Sequence, residues 1–218
     1  MSANEIKDCP VYPDALNTFN DAMRFAESRT SYEIKKAVLR CQGEAEREIY
    51  LVALRGTDRS FDKTDVLSVP VCLKSFLAKD NIYLDAVKKG IFAEIPSGST
   101  LVLIGHSLGG MIAQQVAADS EINAAYTVLH LLNIGSPYVP VKGRKCTFRR
   151  AAEKADLIPW LGISIRANLF TEKPVFVGNG YFGHPVAAHT DSYRESESWT
   201  VYDCFGELYG KHSIVFCD

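Results

Sequence analysis

Residues 101–134 constrain this chain more than any other stretch. Residues 101–104 read as a buried strand, 107–119 are rich in alanine and glutamine without proline, and 126–134 are a second strand-type run. Strand, helix and strand in that order make a βαβ unit, whose crossover leaves the two strands parallel. The expectation is an α/β fold whose sheet holds this parallel pair. At the first strand-to-helix turn stands Gly105-His106-Ser107-Leu108-Gly109, followed by Gly110. With ordinary glycine and serine usage, G-x-S-x-G arises by chance about 0.07 times in such a length. Here it falls where it has a physical use.

A serine that is to attack a substrate must project from a sharp turn at a strand end, and flanking glycines relieve the crowding there. The helix that follows aims its free N–H groups and positive dipole end at the place where an oxyanion would form. Ser107 is the candidate nucleophile, and the Leu108 N–H is the first candidate oxyanion donor.

The rest of the pattern is consistent with one domain spanning 1–218. Residues 14–28 place Leu16, Phe19, Met23 and Phe25 at helical spacing and predict an N-terminal helix. Residues 32–41 and 48–55 are β-type runs around a polar turn, a hairpin, and the polar stretch 55–65 is a surface loop. Residues 80–95 carry Ile82, Leu84 or Tyr83, Val87, Ile91 and Ile95 on one helical face and stop at Pro96-Ser97-Gly98. Weaker strands are predicted at 148–151, 175–177 and 213–216. Between them Pro174, Gly178, Gly180 and Gly183 mark an irregular region.

Charge and composition exclude several classes. Lys plus Arg is 24 against 26 for Asp plus Glu, with no long run of one sign, so there is no footprint for nucleic acid. The apolar runs at 100–105 and 127–132 fall well short of the roughly 18 to 20 residues that cross a bilayer. Residues 1–14 are polar and broken by prolines, unlike a secretory signal. The expectation is a cytoplasmic location, or export without a cleavable signal. The six cysteines, at 9, 41, 72, 146, 204 and 217, show no C-x-x-C, and no histidine pair stands at metal spacing. They are expected to be reduced core thiols, with a Cys204 to Cys217 disulfide as the alternative, and no metal or organic cofactor is expected.

Leu101 to Gly110 resembles the nucleophile segment of the α/β-hydrolase superfamily, and Leu54-Arg55-Gly56-Thr57 resembles the R-G-S/T segment of class 3, or fungal-type, lipases. Two further segments match in the same order. Leu132-Asn133-Ile134-Gly135-Ser136-Pro137 resembles the strand and G-S-P turn of those lipases. Arg149-Arg150, followed by Asp156-Leu157-Ile158-Pro159, resembles their basic strand and D-x-V-P turn. The matches cover residues 51–159, half the chain, and imply a single α/β-hydrolase domain with a central mixed, mostly parallel sheet flanked by helices and a reduced lid.

A serine hydroxyl needs a base to take its proton, and the base needs a carboxylate to fix its tautomer. The superfamily order is serine, then Asp or Glu, then histidine. The resemblance implies that Asp156 is the carboxylate, since its rivals Glu153 and Asp119 lie outside the family turn. His106 and His130 do not fit the order. His189, in Ala188-His189-Thr190-Asp191-Ser192-Tyr193, resembles the H-x-x-x-Y ending of bacterial relatives and is the favoured base; His184 and His212 remain open. By the same resemblance, Thr57 joins Leu108 in the oxyanion hole. Arg55 is read as structural, paired with Asp58 or Asp65.

The chain departs from the family after Thr57. Lipases of this type place a lid there, commonly with a tryptophan, whereas 58–65 here is polar, with Lys63 near that position and Phe61 its one large apolar residue. A long-chain interfacial lid is not expected here, which favours smaller, more soluble or single-molecule substrates and a compact, open site. Trp160, Leu161, Ile163, Leu169, Phe170 and Phe182 could line an acyl wall, with a core role expected for most of them.

The resemblance implies a serine hydrolase of carboxylic esters, foremost a lipase or phospholipase acting on lipid esters. A short-chain carboxylesterase, thioesterase or acyltransferase would use the same groups, and a catalytically silent fold acting as a binding module is the non-enzyme alternative. The implied partners are a lipid or small ester substrate, transient contact with a membrane surface, and an inhibitor protein if the chain is a secreted effector.

Overall fold

Every residue from Leu101 to His106 is buried, so the strand they form lies inside the sheet and not at its edge. The computed structural model describes residues 15–16, 30–41, 45–57, 67–78, 81–161, 164–177, 184–195 and 212–216. Its strands are β1 (Ala15–Leu16), β2 (Tyr32–Cys41), β3 (Arg47–Leu54), β4 (Thr100–His106), β5 (Thr127–Ile134), β6 (Thr147–Glu153), β7 (Val175–Val177) and β8 (His212–Phe216). They form one sheet in the order β1-β8-β2-β3-β4-β5-β6-β7. The six strands from β2 to β7 are mixed and mostly parallel: β2 and β3 pair antiparallel, and all pairs from β3 to β7 are parallel. Helices α1 (Val69–Phe76), α2 (Ile82–Glu94), α3 (Leu108–Ala118) and α4 (Ser120–Ala125) flank this sheet. After β6 come a 3-10 turn (Ile158–Trp160), the short helix α5 (Ser164–Arg166) and a π turn (Ala167–Thr171); α6 (Pro185–His189) and α7 (Asp191–Glu195) follow β7.

The main core joins α2 and α3 to one face of the sheet through Tyr83, Leu84, Val87, Ile91, Met111, Ile112 and Val116, packed on Val52, Leu54, Leu101 and Leu103. Each such aliphatic side chain contributes about 1.5 to 3 kcal/mol on burial. Helix α3 is buried from Leu108 through Ala117, which explains its alanines and demands partners for its two glutamines. Gln114 Nε2 donates to the Gly110 and Pro137 carbonyls at 3.1 and 2.9 Å, and its Oε1 accepts the Val139 N–H at 2.8 Å. Gln115 Nε2 donates to the Ser75 carbonyl of α1 at 3.1 Å. The glutamines therefore fasten α3 to neighbouring elements at no cost in unpaired groups.

Capping residues set the helix starts. Asn81 accepts the Tyr83 and Leu84 N–H groups, both at 3.1 Å, and opens α2. Asp119 accepts the Glu121 and Ile122 N–H groups and pairs with Lys88 at 2.7 Å, so this carboxylate is a structural cap of α4. The Tyr83 hydroxyl reaches the Ser31 and Arg55 carbonyls, the latter at 3.1 Å, and anchors the chain just before Gly56.

The hairpin, the 80–95 helix, the βαβ unit and the three weaker strands all form near their expected bounds. The N-terminal expectation fails where it can be seen. Ala15 and Leu16 form a strand paired with Val215 and Ile214, so a contact remote in sequence overrides local helical spacing; the rest of 14–28 lies outside the described residues. So do the 42–44 turn, the segment 58–66 with Asp58, Phe61, Lys63 and Asp65, and Cys9, Cys204 and Cys217. Cys72 and Cys146 are free, partly buried thiols. Burial pushes the Cys146 thiol up to about 11. No helix among the described residues is long and apolar enough to cross a membrane.

Candidate active site

Ser107 caps the end of β4 with φ 52 and ψ −119, a backbone conformation that non-glycine residues seldom adopt and that turns its side chain away from the sheet. The turn is held by main-chain bonds: the Ser107 N–H donates to the Ile134 carbonyl at 3.0 Å, and the Ser107 carbonyl accepts the Gly110 and Met111 N–H groups at 3.1 and 3.3 Å. Gly109 is required by contact, because a Cβ there would lie 2.1 Å from the Leu54 carbonyl oxygen of β3. Glycine lets α3 start directly against the neighbouring strand.

Two other segments reach this turn. His189, the last residue of α6, places Nε2 2.8 Å from Ser107 Oγ, and its Nδ1 stands 2.9 Å from Asp156 Oδ2. Asp156, wholly buried after β6, also accepts the Ile158 N–H on Oδ1 at 2.9 Å. Hydroxyl, imidazole and carboxylate thus form one hydrogen-bonded chain. With the proton on Nδ1 facing the carboxylate, Nε2 is free to accept from the serine, the arrangement that general-base activation requires.

Sequence reasoning gave no role to Tyr193. Its hydroxyl donates to Asp156 Oδ2 at 2.7 Å and accepts the Glu153 N–H at 2.9 Å. Complete burial, with the nearby Asp156 charge, pushes this phenol well above its ordinary range, so it stays protonated as a donor. The H-x-x-x-Y spacing was the available signal. It did not show the function, since His189 and Tyr193 belong to two short helices broken at Thr190. Gly135, at φ 55, belongs to the same arrangement: a Cβ on it would lie 2.9 Å from the Tyr193 ring.

Arg150 holds the loop that carries Asp156. Its guanidinium donates to Asn168 Oδ1 at 2.6 Å, the Glu172 carbonyl at 2.8 Å and the Ser136 carbonyl at 3.2 Å, while Asn168 Nδ2 donates to the Pro159 carbonyl at 2.9 Å. Burial lowers this guanidinium to about 10. Glu153 is buried at the end of β6, with its N–H given to Tyr193.

The other expected residues fall as follows. Gly56 passes close to the turn, since a Cβ there would stand 3.1 Å from Ser107 Cβ, and Thr57 is the next residue, its side chain hydrogen-bonded to the Cys72 thiol of α1. Leu108 is buried as the first residue of α3, where N–H groups lack helical partners. His184 is exposed, and its carbonyl accepts the Ala188 N–H at the start of α6. His212 pairs with Cys41, whereas the Leu54 end of β3 that approaches Ser107 pairs with Tyr32 at the opposite end of β2. His212 is therefore remote from the serine. His130 shares a 2.7 Å hydrogen bond with Thr147 on β6.

The chain between Asp156 and His189 exposes several large apolar side chains. Leu157, Leu161, Ile165, Leu169, Phe170 and Val186 are all exposed, Phe170 at 74%. The core role expected for most of the six is thus corrected at Leu161, Leu169 and Phe170: in the π turn Ala167 and Asn168 take the inward positions, which leaves Leu169 and Phe170 facing out. Trp160 stacks on Phe176 with ring centroids 5.0 Å apart, and Ile163 and Phe182 lie outside the described residues. Among the described residues no group of three or more His, Cys, Asp or Glu is arranged to hold a metal ion. No family model matches the chain, and neither a curated protein nor a solved structure matches it.

Proposed function

We propose that this chain is a serine hydrolase of the α/β-hydrolase superfamily, similar to class 3 lipases, that cleaves carboxylic esters of lipid character. The observation that carries the proposal is the chain of bonds from Ser107 through His189 to buried Asp156, at 2.8 and 2.9 Å, built on a serine held at positive φ. In this reading Ser107 Oγ attacks the acyl carbonyl as its proton passes to His189 Nε2. Asp156 stabilises the imidazolium, and Tyr193 and the Ile158 N–H keep the carboxylate aimed. The Leu108 N–H and Thr57 would face the oxyanion. His189 then protonates the leaving alcohol, and a water activated by the same imidazole releases the acid.

Lipid esters are favoured over small soluble ones by the exposed apolar side chains carried between Asp156 and His189, with Leu157 adjoining the one and Val186 in the same helix as the other. Such a rim can receive an acyl chain or rest on a lipid surface.

The test compares p-nitrophenyl butyrate, a triacylglycerol emulsion and phosphatidylcholine vesicles on wild type and Ser107→Ala, alongside labelling by a fluorophosphonate. Expected are labelling of wild type alone, fatty-acid release from lipid, and a loss in kcat on the order of 10^6 in the variant. Turnover restricted to butyrate would overturn the lipid reading in favour of a short-chain esterase. A wild-type chain that neither turns over nor labels would be a binding module.

A further inference from the structure

His106 has no part in the proton path, yet its ring packs against that of the proposed base. It ends β4, immediately before Ser107, and is 3% exposed. Its ring lies over that of His189 with centroids 4.9 Å apart and planes 32° from parallel, and its Nε2 is 3.0 Å from the His189 carbonyl oxygen. A carbonyl only accepts, so Nε2 carries the proton. The Tyr193 ring meets the His106 ring edge-on at 5.9 Å, and a Cβ on Gly56 would stand 3.0 Å from Nδ1.

The need for this bond follows from where His189 sits. The last four carbonyls of a helix have no partner within it. At the end of α6 the Val186 carbonyl accepts from Thr190 and the Ala188 carbonyl from Ser192 Oγ at 2.6 Å, which leaves the His189 carbonyl to His106.

Resting on the hydrolase reading above, we propose that His106 is the positioning residue of the base: its Nε2–H fixes the His189 main chain to the residue next to the nucleophile, and its ring forms the floor under the His189 imidazole. The distance between nucleophile and base is then set across one peptide bond. Burial, then the proximity of His189, lowers His106 to about 3. The floor therefore stays neutral and adds no charge against the imidazolium that forms above it.

Two variants separate the bond from the ring. His106→Phe keeps an aromatic floor without a donor, and His106→Gln supplies an N–H at nearly the same reach. Expected for His106→Phe is a fluorophosphonate labelling rate and a kcat on butyrate roughly ten- to a hundredfold lower, as for one lost hydrogen bond and a displacement below about 1 Å. KM should be unchanged, with one label still taken up per chain. His106→Gln should recover to within about threefold of wild type. A merely structural role would lower the fraction of chains that label and leave the rate of the remainder alone. The inference is overturned if His106→Phe labels at the wild-type rate, if His106→Gln is as slow as His106→Phe, or if the active fraction falls in place of the rate. Should His106→Phe not fold, nitrogen-15 NMR of wild type decides: a neutral His106 protonated on Nε2 supports the inference, and a proton on Nδ1 overturns it. A wild-type chain that takes no label at all would sink the hydrolase reading itself, a result distinct from an equally reactive His106→Phe.

Discussion

Ser107 is held by main chain, whereas Asp156 and His189 are held by side chains. Around Ser107 the restraints are the peptide bonds of Ile134, Gly110 and Met111, a buried strand on its N-terminal side and a wholly buried helix on the other. Around Asp156 and His189 the elements are a 3-10 turn, a π turn and two five-residue helices, with Tyr193, Arg150, Asn168 and His106 supplying the ties. A rigid sheet can impose an unusual φ on one serine because the fold overdetermines it. On the proposed hydrolase reading, a histidine that exchanges protons and turns slightly between serine and leaving group is better held at its edges. The difference predicts that damage near Ser107 will cost the fold, and damage near His189 will cost the chemistry.

The largest effect tests the base itself. His189→Ala should lower kcat on the order of 10^6, close to the loss from Ser107→Ala, with a nearly unchanged melting temperature. If His184→Ala or His212→Ala did this instead, the comparison would be built on the wrong histidine. Next, Gly109→Ala forces a Cβ onto the Leu54 carbonyl of the neighbouring strand. Stability should fall by about 3 kcal/mol in urea denaturation, and activity should drop only in proportion to the unfolded fraction. A stable but inactive Gly109→Ala would break the division between the two regions.

Tyr193→Phe sharpens the other half. It removes a bond to the Asp156 carboxylate and leaves the Glu153 N–H unpaired, so kcat should fall about tenfold and stability by about 2 kcal/mol. The last effect is one of pH. His106 is lowered from 6.5 to about 3, so below its ordinary value the unfolded chain binds a proton that the folded one refuses. Its contribution to stability is full above pH 6.5 and is lost as the pH falls toward 3. Urea midpoints should decline over that window in wild type and decline less in His106→Gln; equal slopes would remove His106 from the account.

Legibility in the sequence follows the same division. The βαβ unit, the hairpin and the 80–95 helix were readable because each buries a periodic face over enough residues for the period to show. Helix α4 is six residues long and is set by the Asp119 cap, and α1 is only eight residues long with no side-chain cap at its start, so neither stood out. Ala15 and Leu16 followed a helical pattern but took the partner offered by β8, from the far end of the chain. Asp156 and His189 were reached through motif resemblance, which says where a residue falls in chain order and nothing of what holds it there.

By itself the sequence determined the α/β class, the parallel crossover and the placing of Ser107 at a strand-to-helix turn. All three follow from periodicity and from glycines within a few residues of one another. The tertiary structure alone decided that His189, and not His184 or His212, meets Ser107, and that Tyr193, His106 and Arg150 support the meeting. The physical reason is that a hydrogen bond between residues 82 positions apart, such as that from Ser107 to His189, depends on loop closure and packing, which leave no local pattern to read.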